Sequence, residues 1–267
     1  NWGRSFIMLQ KDFFKRWYIK IARYIFRQHF LPVMAGPLEG FRWSTSSPYE
    51  YILGSYEDPK TQQQLLSWLK PGTVFYDIGS NVGFHALLAG RVMSNGTIYA
   101  FEPIPAVREI LEQHISLNKK MISGSHIRVL PVAIADREKE VEFSNDLSHR
   151  DGNTYIPGSY VFAGTQNKIK VQCHSIDGLI EQGYKIPGII KIDVEGAEYD
   201  VLLGAKNTLQ QYCPHILLAT HDCHLPGVQK KCVQLLEEMG YHVQHTGTHN
   251  KHMAGLDDYI ATHKSKF

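Results

Sequence analysis

One stretch, residues 74–102, constrains the fold of this 267-residue chain more than any other. A strand, a tight glycine turn, a helix and a second strand in succession form half of a doubly wound nucleotide-binding unit. The sequence therefore predicts a mostly parallel α/β sheet with its ligand at the carboxyl ends of the strands. The predicted elements are a buried strand at Val74–Ile78, a turn at 79–83, a helix at 84–93 and a strand at Thr97–Phe101.

The glycine turn indicates which nucleotide is unsuitable. A dinucleotide fingerprint that starts at Gly79 requires glycines at positions 81 and 84, where this chain has Asn81 and Phe84. The second of these glycines lets the backbone approach a pyrophosphate, so its absence argues against a dinucleotide. Asp77 would repel a phosphate, but it suits a ligand that carries an ammonium and a sulfonium group. S-adenosylmethionine is such a ligand.

Further motifs connect this unit to a known family. DIGSNVGFHALLAG (77–90) is followed by FEP (101–103), AIAD (133–136) and KIDVEGAEYDVLLGA (191–205). Together and in this order, over roughly the last three quarters of the chain, they resemble the FkbM family of S-adenosylmethionine-dependent methyltransferases. The resemblance implies a Rossmann-like class I methyltransferase fold, with a seven-stranded, mostly parallel sheet and an antiparallel last strand. It also implies a transferase that uses S-adenosylmethionine.

Composition bounds the remaining possibilities. With 43% apolar residues the chain can bury one sizeable core. We expect an N-terminal helical extension at 1–70 and an S-adenosylmethionine-binding domain at 71–267.

A net charge of +2 gives no reason to expect nucleic acid. The four cysteines form no CxxC pair, and neither a signal peptide nor an apolar run of ~20 residues is visible, so we expect a cytoplasmic protein. The sequence does not indicate an oligomeric state.

Residues 4–31 carry the one marked charge bias. Seven basic residues are opposed only by Asp12, and apolar side chains recur at helical spacing up to Pro32. The pattern predicts one or two basic amphipathic helices. These helices either lie on an anionic membrane surface or grip an acidic lipid or glycan, or their aromatic stripe packs against the catalytic domain. The sequence leaves both interpretations open.

The predicted cofactor contacts lie around the glycine turn and the strand ends. Glu102 follows the second strand and is placed to accept hydrogen bonds from a ribose diol. Asp136 follows the predicted third strand, Ile127–Ala133, where the family resemblance implies a contact with the adenine amino group; the alternative is an ordinary cap. The predicted cofactor-binding residues are Asp77, Gly79, Asn81, Gly83, Phe84, Glu102, Asp136 and Asp193.

Three polar residues after later strands are the predicted catalytic groups. A hydroxyl acceptor needs a base, and His221 is the first candidate because imidazole titrates near neutral pH. Asp193 is the second candidate, or it orients the acceptor or the ammonium of the cofactor. Glu195 is the third, although at the start of a helix it would also serve as a cap.

Two segments are candidates for substrate contacts, and we expect a small-molecule, glycan or lipid acceptor. Tyr56 and Glu57 lie in a segment that resembles the one before the nucleotide fold in family members; a turn and a capped helix explain the same residues. The polar loop 146–167 is long for a compact domain and is predicted to cover the substrate, with Asn153 and Tyr155 as contacts.

The sequence predicts no resident metal, with one alternative. Asp193 and Asp222 follow neighbouring predicted strands, and two carboxylates plus substrate oxygens would suit magnesium. The histidines between positions 221 and 252 follow no tetrahedral zinc template.

The whole pattern predicts an S-adenosylmethionine-dependent O-methyltransferase that acts on a hydroxyl of a sugar, glycolipid or other natural product. One alternative is a nicotinamide-dependent oxidoreductase on a similar sheet, which the missing glycines argue against. The other is a non-catalytic, membrane-associated scaffold that works through residues 4–31. The acceptor itself cannot be read from the sequence.

Overall fold

The computed structural model describes residues 29–54, 59–144, 168–248 and 255–266, together with Ile19, Ile21, Ala22 and Tyr24. Its strands form three sheets. They are β1 (Phe30–Pro32), β2 (Arg42–Ser44), β3 (Val74–Ile78), β4 (Thr97–Phe101), β5 (His126–Leu130), β6 (Ala133–Ile134), β7 (Lys139–Ser144), β8 (Lys168–His174), β9 (Ile189–Ile192), β10 (His215–His221), β11 (Tyr241–Thr248) and β12 (Leu256–His263).

Helices cover both faces of the largest sheet. Two short 3-10 helices lie at Lys119–Met121 and Lys264–Lys266. The α-helices whose full bounds are described are α1 (Tyr49–Leu53), α2 (Pro59–Trp68), α3 (Phe84–Val92), α4 (Pro105–Leu117), α5 (Ile176–Glu181), α6 (Glu198–Leu203), α7 (Lys206–Tyr212) and α8 (Val228–Glu238).

The largest sheet has seven strands in the order β11-β12-β10-β9-β3-β4-β5. The pairs from β10 to β5 are parallel, and β12 runs antiparallel to both of its neighbours. All four residues of β9 are buried, as expected for a central parallel strand that is covered on both faces. This topology confirms the predicted Rossmann-like class I methyltransferase fold with an antiparallel last strand.

Each face of this sheet packs into its own hydrophobic cluster, because successive side chains of a strand point to opposite faces. Phe75 of β3 packs with Leu87 of α3 in one cluster. Its neighbour Tyr76 packs with Leu209 of α7 in the other. The two clusters fix the sheet from both sides, which leaves the carboxyl ends of the parallel strands as the edge where polar side chains gather.

The predicted third strand, Ile127–Ala133, is wrong as a single element. Pro131 has no backbone N–H to donate to a ladder, so β5 ends at Leu130. The chain then forms β6, which joins the separate three-stranded sheet β6-β8-β7. Asp136 therefore follows a strand of the small sheet and not a strand of the large one.

The extension before the large sheet contains a pair of strands as well as helices. The predicted helix ends before Phe30, because β1 and β2 form an antiparallel pair there. Ile19 and Ala22, which have helical backbone, are buried in the cluster that contains Trp43 and Phe75. The extension thus shares a core with the domain, and the boundary at residue 70 stays a prediction. Apart from Ile19, Ile21, Ala22 and Tyr24, residues 4–28 lie outside the described part.

Among the described residues, no helix has both the length and the apolar character needed to cross a bilayer.

Candidate active site

The glycine turn between β3 and α3 packs against the end of β9. Gly79 has φ +74°, and a Cβ there would lie 1.9 Å from the carbonyl oxygen of Asp193. Gly83 has φ +96°, and a Cβ there would lie 2.2 Å from Cδ1 of Leu111. Both positions therefore require glycine, for backbone conformation and for space. Asn81 between them is also left-handed, at φ +50°.

Glu102, after β4, holds this turn in place. Its Oε2 accepts a hydrogen bond from the backbone N–H of Asn81 (3.0 Å), and its Oε1 accepts one from Ile104 (2.9 Å). Burial raises the pKa of Glu102 to about 7, although the two backbone hydrogen bonds act in the opposite direction. The carboxyl group is therefore close to half-protonated at neutral pH. Any ligand that favours its ionised form will release a proton on binding.

A buried lysine that the sequence analysis did not single out lies at the centre of the rim. Lys191 Nζ donates a hydrogen bond to the Gly79 carbonyl (2.9 Å) and lies 3.6 Å from Asp77 Oδ1 and 3.4 Å from Asp193 Oδ2. Asp77 is fully buried, and its carboxylate oxygens accept no hydrogen bond from the residues described. Lys191 thus supplies the nearby positive charge for Asp77. Its position two residues before Asp193 on one strand, hence on the same face, was the available signal.

His221, the last residue of β10, lies among carboxylates. Its Nδ1 donates to Glu198 Oε1 (2.7 Å), and its Nε2 lies 3.5 Å from both Asp193 Oδ1 and Glu195 Oε2. Burial lowers the pKa of His221, but the Glu198 hydrogen bond and the surrounding carboxylates outweigh it, and the pKa rises to about 9. The ring is therefore protonated at neutral pH. It cannot accept a proton until that one is displaced.

Glu195 and Glu198 divide the roles that the sequence assigned to Glu195 alone. The backbone N–H of Gly196 is bound by Oε1 of Glu198 (2.9 Å). Glu195 instead faces His221 and pairs with His224 Nδ1 (2.9 Å), from a left-handed backbone at φ +57°. Glu198 is fully buried and was missed, although its place three residues after Glu195 at a helix start was visible in the sequence.

The structure does not support the alternative of a magnesium ion held by Asp193 and Asp222. Asp222 Oδ1 accepts from the N–H of Gln229 (2.7 Å) and Oδ2 from Gly227 (3.3 Å), so Asp222 caps α8. In the described part of the chain, the group whose ligand atoms all lie within 4.8 Å of one another is Asp193, Glu195 and His221. These three residues could hold a metal ion.

Two predicted cofactor residues lie in other surroundings. Asp136 pairs with Lys139 Nζ (2.6 Å) and Arg137 Nη1 (2.9 Å), and the hydrogen bond from Lys139 and both charges hold its pKa below the usual value. Phe84 is buried in the core, with its ring centroid 5.9 Å from that of Tyr51. Contacts of either residue with a cofactor stay predictions. The predicted substrate contacts Tyr56, Glu57, Asn153 and Tyr155, and the loop 146–167, lie outside the described residues.

A small cleft opens beside these groups. It has about 290 Å³ of empty space, part of which is open to solvent. Lys191 lines it from β9, Asp193 from the position after β9, His85 from α3 and Asp258 from β12. The cleft thus lies where carboxylate and lysine side chains of the strands meet the first turn of α3.

The sequence of this chain is similar to those of known proteins. Residues 77–243 match the family described as the methyltransferase FkbM domain. The chain is 30% identical over 147 residues to hexuronic acid methyltransferase AglP of Haloferax volcanii, a match that covers 55% of each chain. It is 28% identical over 163 residues to 2-O-methyltransferase NoeI of Sinorhizobium fredii, covering 56% of this chain and 65% of that protein. The chain thus spans between half and two thirds of the length of these relatives.

One solved structure shares the fold. A methyltransferase FkbM from Methylobacillus flagellatus KT superposes with a TM-score of 0.52 and 14% sequence identity. The superposition covers 73% of this chain and 44% of that chain.

Proposed function

This chain belongs to the methyltransferase FkbM family, and we propose that it transfers a methyl group from S-adenosylmethionine to a hydroxyl oxygen of a sugar, glycolipid or other natural product. The proposal is carried by one observation: the glycine turn, Asp77, Glu102 and Asp193 are linked through direct contacts at one rim of the sheet. Lys191 joins Asp77, Gly79 and Asp193, and Glu102 binds the backbone of the same turn.

The charge of this rim supports a cationic donor. Five carboxylates lie along it, against the two positive groups Lys191 and protonated His221. Such a rim attracts an ammonium and a sulfonium and repels a diphosphate. The carboxylates in question are those of Asp77, Glu102, Asp193, Glu195 and Glu198.

Methyl transfer is an in-line displacement, so orientation of the acceptor against the sulfonium supplies most of the acceleration, worth ~7–11 kcal/mol at best. Asp193 lines the cleft and faces His221, which suits it to hold the acceptor hydroxyl. Asp193, Glu195 and His221 remain the proposed catalytic residues. The proton on Nε2 of His221 must leave, as it does when the pH rises, before Nε2 can accept the proton of the hydroxyl.

The names of relatives support an oxygen on a carbohydrate-like acceptor. The matched protein of Haloferax volcanii is a hexuronic acid methyltransferase, and that of Sinorhizobium fredii is a 2-O-methyltransferase. A third relative, from Streptomyces tacrolimicus, is a 31-O-demethyl-FK506 methyltransferase and is 25% identical over 201 residues. Carbohydrates with free hydroxyl or uronic acid groups are therefore the first acceptors to test.

The experiment is a transfer assay with S-adenosylmethionine that carries a labelled methyl group, incubated with the full chain and a panel of uronic acid and neutral oligosaccharides. We expect label on at least one acceptor, stable to mild base, as an ether is and a carboxyl ester is not. Asp193→Asn should reduce transfer at least tenfold, whereas Asp257→Asn, whose carboxylate pairs with His245 and is not among the residues that line the cleft, serves as the matched control. Label that is released by mild base would contradict O-methylation of a hydroxyl.

A further inference from the structure

Three side chains from two neighbouring strand ends face one point. The ligand atoms of Asp193, Glu195 and His221 lie within 4.8 Å of one another, and His221 Nε2 is 3.5 Å from each carboxylate. A gap of 3.5 Å is long for a hydrogen bond between an imidazole and a carboxylate. Around one metal ion with bonds of about 2.1 Å, adjacent ligand atoms are about 3–3.5 Å apart. The two separations from His221 Nε2 therefore match those between ligands of a single ion, and all three atoms lie within 4.8 Å of one another.

The orientation of His221 is an independent observation that points to a ligand. The residue is 7% exposed, and its Nδ1–H is bound to Glu198, which is itself fully buried and fixed by the N–H of Gly196. A carboxylate that binds one ring nitrogen and leaves the other aimed inward is the usual support of a metal-binding histidine. The contacts given for Nε2 among the described residues are its 3.5 Å approaches to the carboxylates of Asp193 and Glu195.

We propose that Asp193, Glu195 and His221 bind one divalent transition-metal ion, Mn²⁺ or Zn²⁺, whose open positions take an oxygen of the acceptor. One imidazole nitrogen and two carboxylates suit these ions better than Mg²⁺, which prefers oxygen ligands alone. Two carboxylates balance the charge of the ion. Three protein ligands leave at least one position open, as in catalytic metal sites.

The surroundings fit this assignment. Glu195 Oε2 also lies 2.9 Å from His224 Nδ1, and the His224 ring stacks on that of His221 with centroids 5.6 Å apart, so a second histidine orients the carboxylate. Asp222, the next residue after His221, is engaged in capping α8 and is not part of the set. Asp193 lines the cleft, so an ion on Asp193 is adjacent to the space in which an acceptor can lie.

The acceptor part of the inference rests on the proposed function and names a substrate class. An ion with two adjacent open positions prefers an acceptor that offers two oxygens, such as a vicinal diol or a hydroxyl beside a carboxylate. When bound, the ion acts as a Lewis acid that lowers the pKa of a coordinated hydroxyl. The protein itself contributes the three ligands and the buried Glu198 that holds His221.

The test is titration of Mn²⁺ into the full chain after treatment with a chelator, without S-adenosylmethionine or acceptor, followed by the electron paramagnetic resonance signal of free Mn²⁺. We expect one saturable site per chain, from which Zn²⁺ displaces Mn²⁺. Glu195→Gln and His221→Gln should each weaken binding at least tenfold. Absence of a saturable site, or unchanged affinity in both variants, would overturn the proposal.

Two controls keep the outcome specific. His245→Ala removes a surface histidine that pairs with a carboxylate, Asp257, outside the cluster, and should leave Mn²⁺ affinity unchanged. Asp222→Asn removes the carboxylate of the alternative pair and should also leave it unchanged; a loss as large as that of Glu195→Gln would overturn the ligand set. Thermal unfolding of each variant, with a midpoint near that of the parent, establishes that the fold is retained.

Binding of S-adenosylhomocysteine in the presence of chelator separates this inference from the proposed function. If the protein binds S-adenosylhomocysteine but not Mn²⁺, the metal site is wrong and the donor site stands. With Mn²⁺ bound, glucuronic acid serves as the acceptor probe, and it should lower the water-proton relaxation enhancement of the ion by displacing water. An enhancement that glucuronic acid leaves unchanged would overturn the acceptor part.

Discussion

Gly79 lies so close to Asp193 that a Cβ on Gly79 would overlap the Asp193 carbonyl oxygen, at 1.9 Å. These two residues, 114 positions apart in the sequence, follow the neighbouring strands β3 and β9 and thus meet at the rim. The contact fixes the position of the turn relative to the carboxylate of Asp193. Much of the proposed site depends on this approach.

We therefore expect Gly79→Ala to be more harmful than the same substitution at a left-handed glycine with open space around its Cβ position. A left-handed backbone costs a non-glycine residue about 1–2 kcal/mol, and the overlap with Asp193 adds to that cost. Gly72→Ala is the matched control, because Gly72 has φ +78° but nothing within 4 Å of its Cβ position. Urea unfolding measures both. Equal losses of unfolding free energy in the two variants would contradict the close approach.

Lys191→Met should be strongly destabilising, because it leaves the fully buried Asp77 without its nearby positive charge. Removal of one partner of a buried pair typically costs about 3–5 kcal/mol. The double variant Lys191→Met, Asp77→Asn should recover part of that loss, since the uncompensated charge is gone. Unfolding in denaturant gives the coupling energy. If the unfolding free energy of Lys191→Met were within about 1 kcal/mol of that of the parent, Lys191 would not be compensating the buried charge of Asp77.

His114 should make the stability of the protein depend on pH. Its Nε2 accepts from the N–H of Ser44 (2.8 Å), its Nδ1 donates to the Val82 carbonyl (2.8 Å), and it stacks on Trp43. Burial lowers the pKa of His114 to about 4. Because the folded pKa lies below the unfolded value of 6.5, the contribution is present above pH 6.5 and is lost as pH falls towards 4.

The expected loss from this residue over that range is about 3 kcal/mol. His114→Gln should remove this part of the pH dependence, although it also lowers stability at pH 7. Unfolding free energies at several pH values, compared between variant and parent, measure the difference in slope. Parallel curves for the two proteins would exclude His114 as the source.

Glu102 should couple cofactor binding to protons. Its pKa is about 7, mainly because of burial. A ribose diol that donates hydrogen bonds favours the ionised form of the carboxyl group. We expect the affinity for S-adenosylhomocysteine to rise about tenfold between pH 6 and pH 8, with release of a proton. Calorimetry in buffers of different ionisation enthalpy measures that release. Glu102→Gln should bind more weakly and lose the pH dependence; a variant with the parent's pH profile would contradict the role of Glu102.

The regular elements were largely predictable because their signals are local. β3 and β4 have the bounds that apolar runs and turn residues predicted, and β9 and β10 begin at the predicted Ile189 and His215. The family motifs also placed Asp77, Glu102 and Asp193 at one rim. These predictions depend on periodicity and on the parallel order of the strands, both of which are visible in a sequence.

The contacts that link distant segments were not predictable. Nothing near Ser44 indicates that its N–H binds His114, 70 residues later. The three carboxylates around His221 raise its pKa, whereas the sequence suggested an ordinary imidazole. Pro131 was a local signal for a break that the predicted strand Ile127–Ala133 missed, and no local signal indicated that β6 would join another sheet. Such features depend on the final packing of elements, which local patterns do not specify.

The central claim is that the acidic rim around the glycine turn binds S-adenosylmethionine, and calorimetric titration of the full chain with S-adenosylhomocysteine tests it most directly. The account predicts saturable binding of one ligand per chain, weakened at least tenfold by Asp77→Asn in a folded variant. No heat of binding at ligand concentrations of about 1 mM, from protein whose fold is intact by circular dichroism, would contradict it.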